Sequence, residues 1–272
     1  MIKSVTEKIY AKINLCLAIK GKEKHMHLID TLITNINVFD EIALKKRNDN
    51  KINVVYKNIN NKIENDTAKK AALLLQKVHS LPGVDITIKK HIPFSAGLGG
   101  SSADAAGVAK CMKKLFSIEP NRKELLLIGS DVPYMFEGGD KRVKGLGENI
   151  SPVILPNFKY AIVLCPGGVN TKKAYDLYDK IGGENPDVDK IIMNINHTKP
   201  CILYNALQKA ACQLNPNIQT GLDLLKESGF TQSVMTGSGS AVVGMEKDPE
   251  KFKKQTEKLN TLINNNYKLI LT

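Results

Sequence analysis

A run of glycine and serine residues that leads directly into an alanine-rich helix constrains this chain more than any other feature. The run extends from Gly97 to Ser102, and a helix is predicted over 103–116. Glycines tolerate positive φ, so successive backbone N–H groups can converge on one anion, and the helix start adds free N–H groups and a positive dipole end. The run therefore predicts a phosphate site, but not a Walker A loop, because no Gly-Lys-Ser/Thr sequence follows. The alternative is a glycine-rich turn in which a serine caps the helix.

The charge of the chain favours partners that carry negative charge. The 272 residues include 39 basic and 27 acidic side chains, which gives a net charge of +12. Such a balance attracts nucleotides, phosphorylated metabolites or nucleic acid. The alternative is a set of lysines scattered over solvated faces. No run interleaves basic and aromatic residues, so a nucleic-acid partner is not expected.

The cysteines and the apolar segments indicate the cellular environment. The five cysteines are widely spaced and form no C-x-x-C pair, so neither a zinc site nor a disulfide framework is predicted. Charged residues interrupt any signal-peptide core near the N-terminus, and no apolar run approaches the roughly 20 residues that span a bilayer. The sequence predicts a soluble cytoplasmic protein that is a monomer or a weak homodimer and has no membrane partner.

Strand and helix signals alternate without internal repeats, which indicates an α+β fold. Pro152 and Pro156 mark the best candidate for a linker, so we predict two domains, 1–152 and 153–272. Strands are predicted over 9–19, 40–44, 52–56, 84–88, 160–165, 232–236 and 241–246. Helices are predicted over 67–79, 103–116, 120–129, 171–181, 201–213, 217–228 and 249–264.

Three further segments, taken together with the glycine run, resemble a known family. They are residues 11–15 (AKINL), 129–133 (GSDVP) and 235–240 (MTGSGS). Each is weak alone, but the four occur in the expected order. The set resembles the GHMP kinase superfamily and, within it, the diphosphocytidyl-methylerythritol kinases of the non-mevalonate isoprenoid pathway.

The resemblance implies a two-domain GHMP kinase fold in which ATP and substrate meet in a cleft between the domains. The N-terminal domain would be an α+β domain like part of a ribosomal protein, and the C-terminal domain would be ferredoxin-like. The implied reaction transfers the γ-phosphoryl group of ATP, with Mg²⁺ bound to the nucleotide, to the 2-hydroxyl of a cytidyl diphosphate substrate. Two alternatives stay open: another GHMP kinase, of homoserine or mevalonate type, and a non-catalytic nucleotide- or RNA-binding protein on the same fold.

The resemblance also assigns the chemistry to two residues. Asp131 would be the general base that takes the proton of the substrate hydroxyl. Lys12 would lie beside it and stabilise the nascent alkoxide and the transferring phosphoryl group. Without the four segments, Lys12 would be interpreted as a surface lysine at a strand edge, and Asp131 as an aspartate in a helix-terminal turn.

Further positions match residues that contact the two substrates in the family. For Asp104, two interpretations stay open: it belongs to the site at the glycine run, or it stabilises the start of the helix that follows the run. The positions that match nucleotide contacts are Pro93, Gly97, Leu98, Gly99, Gly100, Ser101, Ser102, Asn65 and Lys90. Those that match contacts of the cytidyl diphosphate substrate are Asn14, His27, Thr171 and Tyr175.

Two departures from the family pattern affect the site. The family sequence Gly-Tyr-His is replaced by His25-Met26-His27 in a slightly shorter loop, so His25 is an alternative to His27. Met26 takes the place of a tyrosine expected to stack on cytosine. The segment 124–129 is also shorter than in relatives, which could alter the approach to Asp131.

Overall fold

The computed structural model describes residues 3–59, 66–196 and 203–272, and its elements confirm the predicted α+β class. The first half of the chain contains β1 (Ser4–Glu23), β2 (Met26–Lys46), β3 (Ile52–Lys57), α1 (Thr67–His79), β4 (Val84–Lys89), α2 (Gly100–Phe116), α3 (Arg122–Ile128), α4 (Val132–Glu137), β5 (Lys141–Gly145) and β6 (Asn149–Pro152). The second half contains β7 (Lys159–Leu164), α5 (Thr171–Ile181), α6 (Val188–Asn196), β8 (Tyr204–Asn205), α7 (Gln208–Leu214), α8 (Asn217–Glu227), β9 (Ser233–Met235), β10 (Val242–Glu246), α9 (Pro249–Leu262) and β11 (Lys268–Leu271).

The two longest strands, β1 and β2, form a hairpin that carries part of the predicted site. They pair antiparallel along most of their length, with register shifts between Tyr10 and Lys12 and between Asn14 and Cys16. Such irregularities bend a strand and change the direction of its side chains. Lys12 and Asn14 therefore lie on a short segment between two bulges, within the part of β1 (residues 11–19) that is otherwise apolar and buried.

The first sheet is built around this hairpin and covered by helices. Within the described residues its order is β3-β4-β2-β1-β8, and β5 extends it from β2 with β6 beside it. Helices α1 and α2 pack together, and α2 lies against β1 and β2. The helix approaches closely at Gly107, where a Cβ atom would meet Ile42 Cδ1 at 2.7 Å. The glycine run ends in this helix, so the sheet fixes the direction of the helix start.

The second sheet comes from the second half of the chain. Its order in the described residues is β11-β7-β10-β9, with all neighbours antiparallel. Helices α8 and α9 pack on it around a core that includes Leu225, Phe230 and Phe252. None of the helices in the described parts of the chain has the length and apolar character needed to cross a membrane.

The predicted division at residue 152 does not separate the two cores cleanly. Helix α6 packs on β1 and β2, and its Val188, Ile191 and Ile195 are buried in the core of the first sheet. The short strand β8 pairs in parallel with β1. The helix predicted over 201–213 is therefore wrong in its first part, because residues 204–205 extend the first sheet and the helix begins at Gln208. Strand pairing outweighs local helix propensity at this point.

Candidate active site

Lys12 is a buried cation at the centre of the predicted site. It is only 3% exposed, which excludes the interpretation as a surface lysine. Its Nζ donates to Asn14 Oδ1 at 2.6 Å and lies 3.6 Å from Asp131 Oδ2. The predicted proximity of Lys12 and Asp131 is thus confirmed. A buried charge requires a partner of opposite charge, and the carboxylate of Asp131 provides one.

Asp131 follows the turn at Gly129-Ser130 and occupies the N-cap position of α4. Its side chain makes no capping hydrogen bond, so the carboxylate is not used to stabilise the helix. About a third of the side chain is exposed, and it lines the cavity described below. Gly147 packs on the turn, since a Cβ there would meet the carbonyl oxygen of Ser130 at 2.2 Å. The shorter segment 124–129 therefore still delivers Asp131 to Lys12.

The glycine run bends around Lys12 and opens helix α2. Gly99 is the N-cap of the helix, with φ +76°, and a Cβ on it would lie 3.0 Å from Lys12 Cγ. The carbonyl oxygen of Leu98 accepts from the backbone N–H of Lys12 at 3.1 Å. The free N–H groups of the helix start therefore lie beside the lysine, where an anion would meet both.

The C-terminal glycine segment, residues 235–240, packs directly on the first one. The backbone N–H of Ala241 donates to the carbonyl oxygen of Ala96 at 3.2 Å, and a Cβ on Gly97 would meet the Thr236 carbonyl oxygen at 2.2 Å. Thr236 Oγ1 accepts from the backbone N–H of Asn14 at 2.9 Å. The two loops thus hold the segment that contains Lys12 and Asn14 from opposite halves of the chain.

Asn205 supports the second loop and was not found from the sequence. Its Nδ2 donates to the carbonyl oxygens of Met235 and Gly237, both at 2.7 Å, and its Oδ1 accepts from the backbone N–H of Leu207. The residue lies within the helix predicted over 201–213 and belongs to none of the four segments, so no local signal marks it. Its role follows from the pairing of β8 with β1.

Asn14, predicted to contact substrate, also positions the lysine. Its Oδ1 accepts from Lys12, and its Nδ2 donates to Thr31 Oγ1 at 2.8 Å. Thr31 in turn donates to the carbonyl oxygen of Cys16 at 2.6 Å. A carboxamide has two donor hydrogens and two acceptor sites, so one of each is left for a ligand.

Lys90, predicted to contact adenosine, lines the cavity, but its ammonium group is held by carboxylates. Its Nζ donates to Asp40 Oδ2 at 2.5 Å and to Asp104 Oδ2 at 2.8 Å, and all three side chains are buried. Asp104 lines the same cavity, and its carboxylate pairs with Lys90, so its membership of the site stays a prediction. A contact of adenosine with the backbone of Lys90 or with the aliphatic part of its side chain stays a prediction. Asn65 lies outside the described residues.

The predicted substrate residues of helix α5 meet the tip of the β1–β2 hairpin. Thr171 Oγ1 lies 2.8 Å from Ser238 Oγ, so the start of α5 is tied to the second glycine loop. Tyr175 stacks on His27, with ring centroids 4.5 Å apart and an interplanar angle of 26°. Burial raises the pKa of Tyr175 to about 12, so its phenol is neutral. His25 is exposed in the hairpin turn, so the geometry favours His27 over His25.

These residues surround a cavity of about 520 Å³ that both halves of the chain line. The predicted residues on its wall are Lys12, Asn14, Lys90, Pro93, Gly97, Leu98, Gly99, Gly100, Ser101, Ser102, Asp131, Thr171 and Tyr175. Phe94 and Tyr56 also line it and were not predicted. Phe94 is largely exposed. An aromatic residue between Pro93 and the glycines is a sequence feature that could have marked it.

Comparisons with known proteins agree with this geometry. A family model described as the GHMP kinases N terminal domain matches residues 66–140. Curated relatives from Clostridium beijerinckii and Clostridium tetani, both named 4-diphosphocytidyl-2-C-methyl-D-erythritol kinase, are each 34% identical to the chain. They cover 88% and 87% of it, and 89% of their own lengths is matched.

Solved structures give the same result. A 4-(cytidine 5'-diphospho)-2C-methyl-D-erythritol kinase is 25% identical, with a TM-score of 0.78 and 98% of both chains covered. A homoserine kinase from Cytophaga hutchinsonii, 15% identical, shares the fold with a TM-score of 0.72 over 100% of this chain and 95% of its own. From its identity to the curated relatives over most of its length, this chain belongs to the 4-diphosphocytidyl-2-C-methyl-D-erythritol kinase family of GHMP kinases.

Proposed function

We propose that this chain transfers the γ-phosphoryl group of ATP to the 2-hydroxyl of 4-diphosphocytidyl-2-C-methyl-D-erythritol, a step of non-mevalonate isoprenoid synthesis. The observation that carries the proposal is the Lys12–Asp131 pair, whose Nζ and Oδ2 lie 3.6 Å apart on the wall of a cavity that also contains the glycine run. The names of the relatives specify the substrate.

The two charged groups have complementary roles in this reaction. Asp131 accepts the proton of the substrate hydroxyl, and Lys12 stabilises the negative charge that develops on the oxygen and on the phosphoryl group. Phosphoryl transfer depends mainly on positioning and charge neutralisation, so few side chains are required. Asn14 contributes by holding Lys12 in the direction of Asp131.

The glycine run binds the phosphates of ATP. Helix α2 directs its free N–H groups at the same space as Lys12, and Ser101 and Ser102 add hydroxyl donors on the cavity wall. Among the described residues, no group of three or more His, Cys, Asp or Glu side chains could hold a metal ion. The Mg²⁺ ion of the reaction enters with the nucleotide and neutralises the charge of its phosphates.

The cytidyl end of the substrate binds at the other side of the cavity. Thr171 and Tyr175 face it from the second half of the chain, and His27 packs on Tyr175. An aromatic face stabilises a stacked base by about 1–3 kcal/mol. The location in the cytoplasm, the lack of a nucleic-acid partner and the monomeric or weakly dimeric state stay predictions.

The test is ADP release by the purified protein with ATP and Mg²⁺. Three acceptors are compared at equal concentration: 4-diphosphocytidyl-2-C-methyl-D-erythritol, homoserine and mevalonate. We expect turnover with the first only, and ³¹P NMR of the product should show a new phosphomonoester. Turnover with homoserine or mevalonate alone would assign the chain to another GHMP activity. Absence of turnover with all three, while ATP binds, would favour the non-catalytic alternative.

A further inference from the structure

A cluster of side chains joins the hairpin tip to helix α5 beside the cavity. The ring of His27 stacks on Tyr175 and meets Tyr178 edge-on, with centroids 6.4 Å apart. Its side chain is only 11% exposed. The imidazole is thus held against one face of α5, in direct contact with Tyr175, the residue predicted to stack on the base.

Asp179 fixes the edge of this imidazole. Its Oδ1 lies 2.8 Å from His27 Nε2, and its Oδ2 lies 2.5 Å from Lys22 Nζ. Lys22 and His27 face each other across the hairpin, so the carboxylate spans a pair of register partners. Burial acts to raise the pKa of Asp179, but the hydrogen bonds from His27 and Lys22 hold it below its ordinary value. The group is therefore an ionised acceptor.

This contact determines which ring nitrogen of His27 carries the hydrogen. An ionised carboxylate only accepts hydrogen bonds, so Nε2 must be the donor. In the neutral imidazole the other nitrogen, Nδ1, then has a free lone pair and can only accept. The contact with Asp179 thus gives His27 a defined hydrogen-bonding character toward a ligand.

We propose that Asp179 is a positioning residue that sets the base preference of the site by holding His27 as a hydrogen-bond acceptor at Nδ1. The proposal rests on the proposed function, because it assumes a pyrimidine nucleotide beside His27 and Tyr175. Position 4 of cytosine carries an amino group, which donates, whereas position 4 of uracil carries a carbonyl oxygen, which accepts. An acceptor opposite position 4 binds cytosine and leaves uracil with two acceptors facing each other.

The first test measures the inhibition constants of free CDP and free UDP in the kinase assay. The wild-type protein should bind CDP more tightly than UDP, and Asp179→Ala should reduce this ratio by up to about tenfold, the effect of one hydrogen bond between the base and His27. The value of kcat at saturating substrate should change little, because Asp179 is separate from the Lys12–Asp131 pair. Asp176→Ala is the matched control, since it removes an exposed aspartate from the same helix and should preserve the ratio.

The second test observes the tautomer directly and does not depend on activity. In ¹⁵N NMR of the histidine side chains, His27→Gln identifies the signals of His27. The wild-type protein should show Nε2 protonated and Nδ1 free, and Asp179→Ala should shift the two resonances toward the averaged values of an exchanging imidazole. A protonated Nδ1 in the wild-type protein would overturn the proposal.

The outcomes separate this proposal from the proposed function. A wild-type protein that turns over the cytidyl substrate and prefers CDP, but whose ratio is the same in Asp179→Ala, contradicts only the role of Asp179. Equal inhibition by CDP and UDP in the wild-type protein contradicts cytidine recognition and this proposal together. Circular dichroism of each variant checks that the fold is retained.

Discussion

At the scale of single residues, three buried charges beside the cavity carry an excess of negative charge. Lys90 lies between Asp40 and Asp104. Both carboxylate oxygens of Asp40 are hydrogen-bonded, because Oδ2 accepts from Lys90 and Oδ1 accepts from the backbone N–H groups of His91 and Ile92. Asp104 Oδ1 has no hydrogen-bond partner among the described residues. Burial raises the pKa of Asp104 to about 7, although Lys90 opposes the change.

This arrangement predicts how stability changes with pH. Folding raises the pKa of Asp104 from its ordinary value near 4. Between pH 4 and pH 7, the folded state therefore keeps a proton on Asp104 that the unfolded chain releases. The contribution of Asp104 to the free energy of unfolding is fully present below about pH 4 and is lost as the pH rises to about 7. Asp104→Asn, which cannot ionise, should therefore gain stability relative to wild type as the pH rises from 4 to 7, by at most about 1.4 kcal/mol per pH unit.

Urea unfolding at several pH values between 4 and 8.5 measures this difference. The free energies of the two proteins should diverge up to pH 7 and run parallel above it. Curves that stay parallel over the whole range would show that Asp104 is ionised in the folded state throughout.

The sequence predicted some site residues and missed others for a physical reason. Lys12 and Asp131 stand in short segments whose residue types the chemistry restricts, so they could be found. Asp40 and Asn205 act through tertiary contacts with partners far along the chain. Their neighbours in sequence give no sign of those partners, so they become visible only in the fold.

At the scale of elements, the start of helix α2 links nucleotide binding to the position of Lys12. Gly99 has φ +76°, and a side chain there would press on Lys12. A branched residue at positive φ costs about 1–3 kcal/mol, and the loop would relax away from the phosphates. Gly99→Val should therefore weaken ATP binding by about tenfold or more and also lower kcat.

The control is Gly139→Val, measured by calorimetry with ATP. Gly139 has a similar φ of +80°, but no atom lies within 4 Å of a Cβ built on it. It bears the backbone strain without the contact with Lys12, so its ATP affinity should stay close to wild type. Equal loss of affinity in both variants would mean that strain alone, and not the phosphate loop, accounts for the effect.

Element prediction succeeded where the local pattern and the tertiary environment agree. The alanine-rich stretch that becomes α2 was found within a few residues, since it is helical by propensity and packs on the sheet. Helix α6 and strand β11 were not predicted, and only residues 40–44 of β2 were. The remainder of β2 pairs with β1 and β5 and lies beside the polar residues Lys12 and Asn14. Its own sequence therefore mixes polar and apolar residues and lacks the regular alternation from which a strand is predicted.

At the scale of the whole molecule, a nearly buried arginine joins two strands of the first sheet and also contacts helix α6 from the second half of the chain. Arg142 on β5 donates to both carboxylate oxygens of Asp30 on β2, at 2.8 and 2.9 Å. It also pairs with Asp189 on α6. Arg142 and Asp30 are nearly buried, whereas Asp189 has 75% of its side chain exposed.

Removing the arginine should therefore cost far more than removing its exposed partner. Arg142→Ala leaves the buried carboxylate of Asp30 without a counter-charge, which should lower the free energy of unfolding by about 3–5 kcal/mol. Asp189→Ala breaks an exposed pair and should cost about 0–1 kcal/mol. Chemical denaturation of both variants measures this difference, and similar losses would contradict the Asp30–Arg142 pair as the main stabilising contact of this arginine.

The central claim is that Asp131, from the first half of the chain, acts on a substrate held in a cavity lined by both halves. The most direct measurement is kcat of Asp131→Asn with ATP and 4-diphosphocytidyl-2-C-methyl-D-erythritol, with ATP affinity determined on the same sample. Asparagine keeps the size of the side chain and removes the base, so kcat should fall by about 10²–10⁴-fold while ATP binds as in wild type. A variant that retains more than half of the wild-type kcat would contradict the claim.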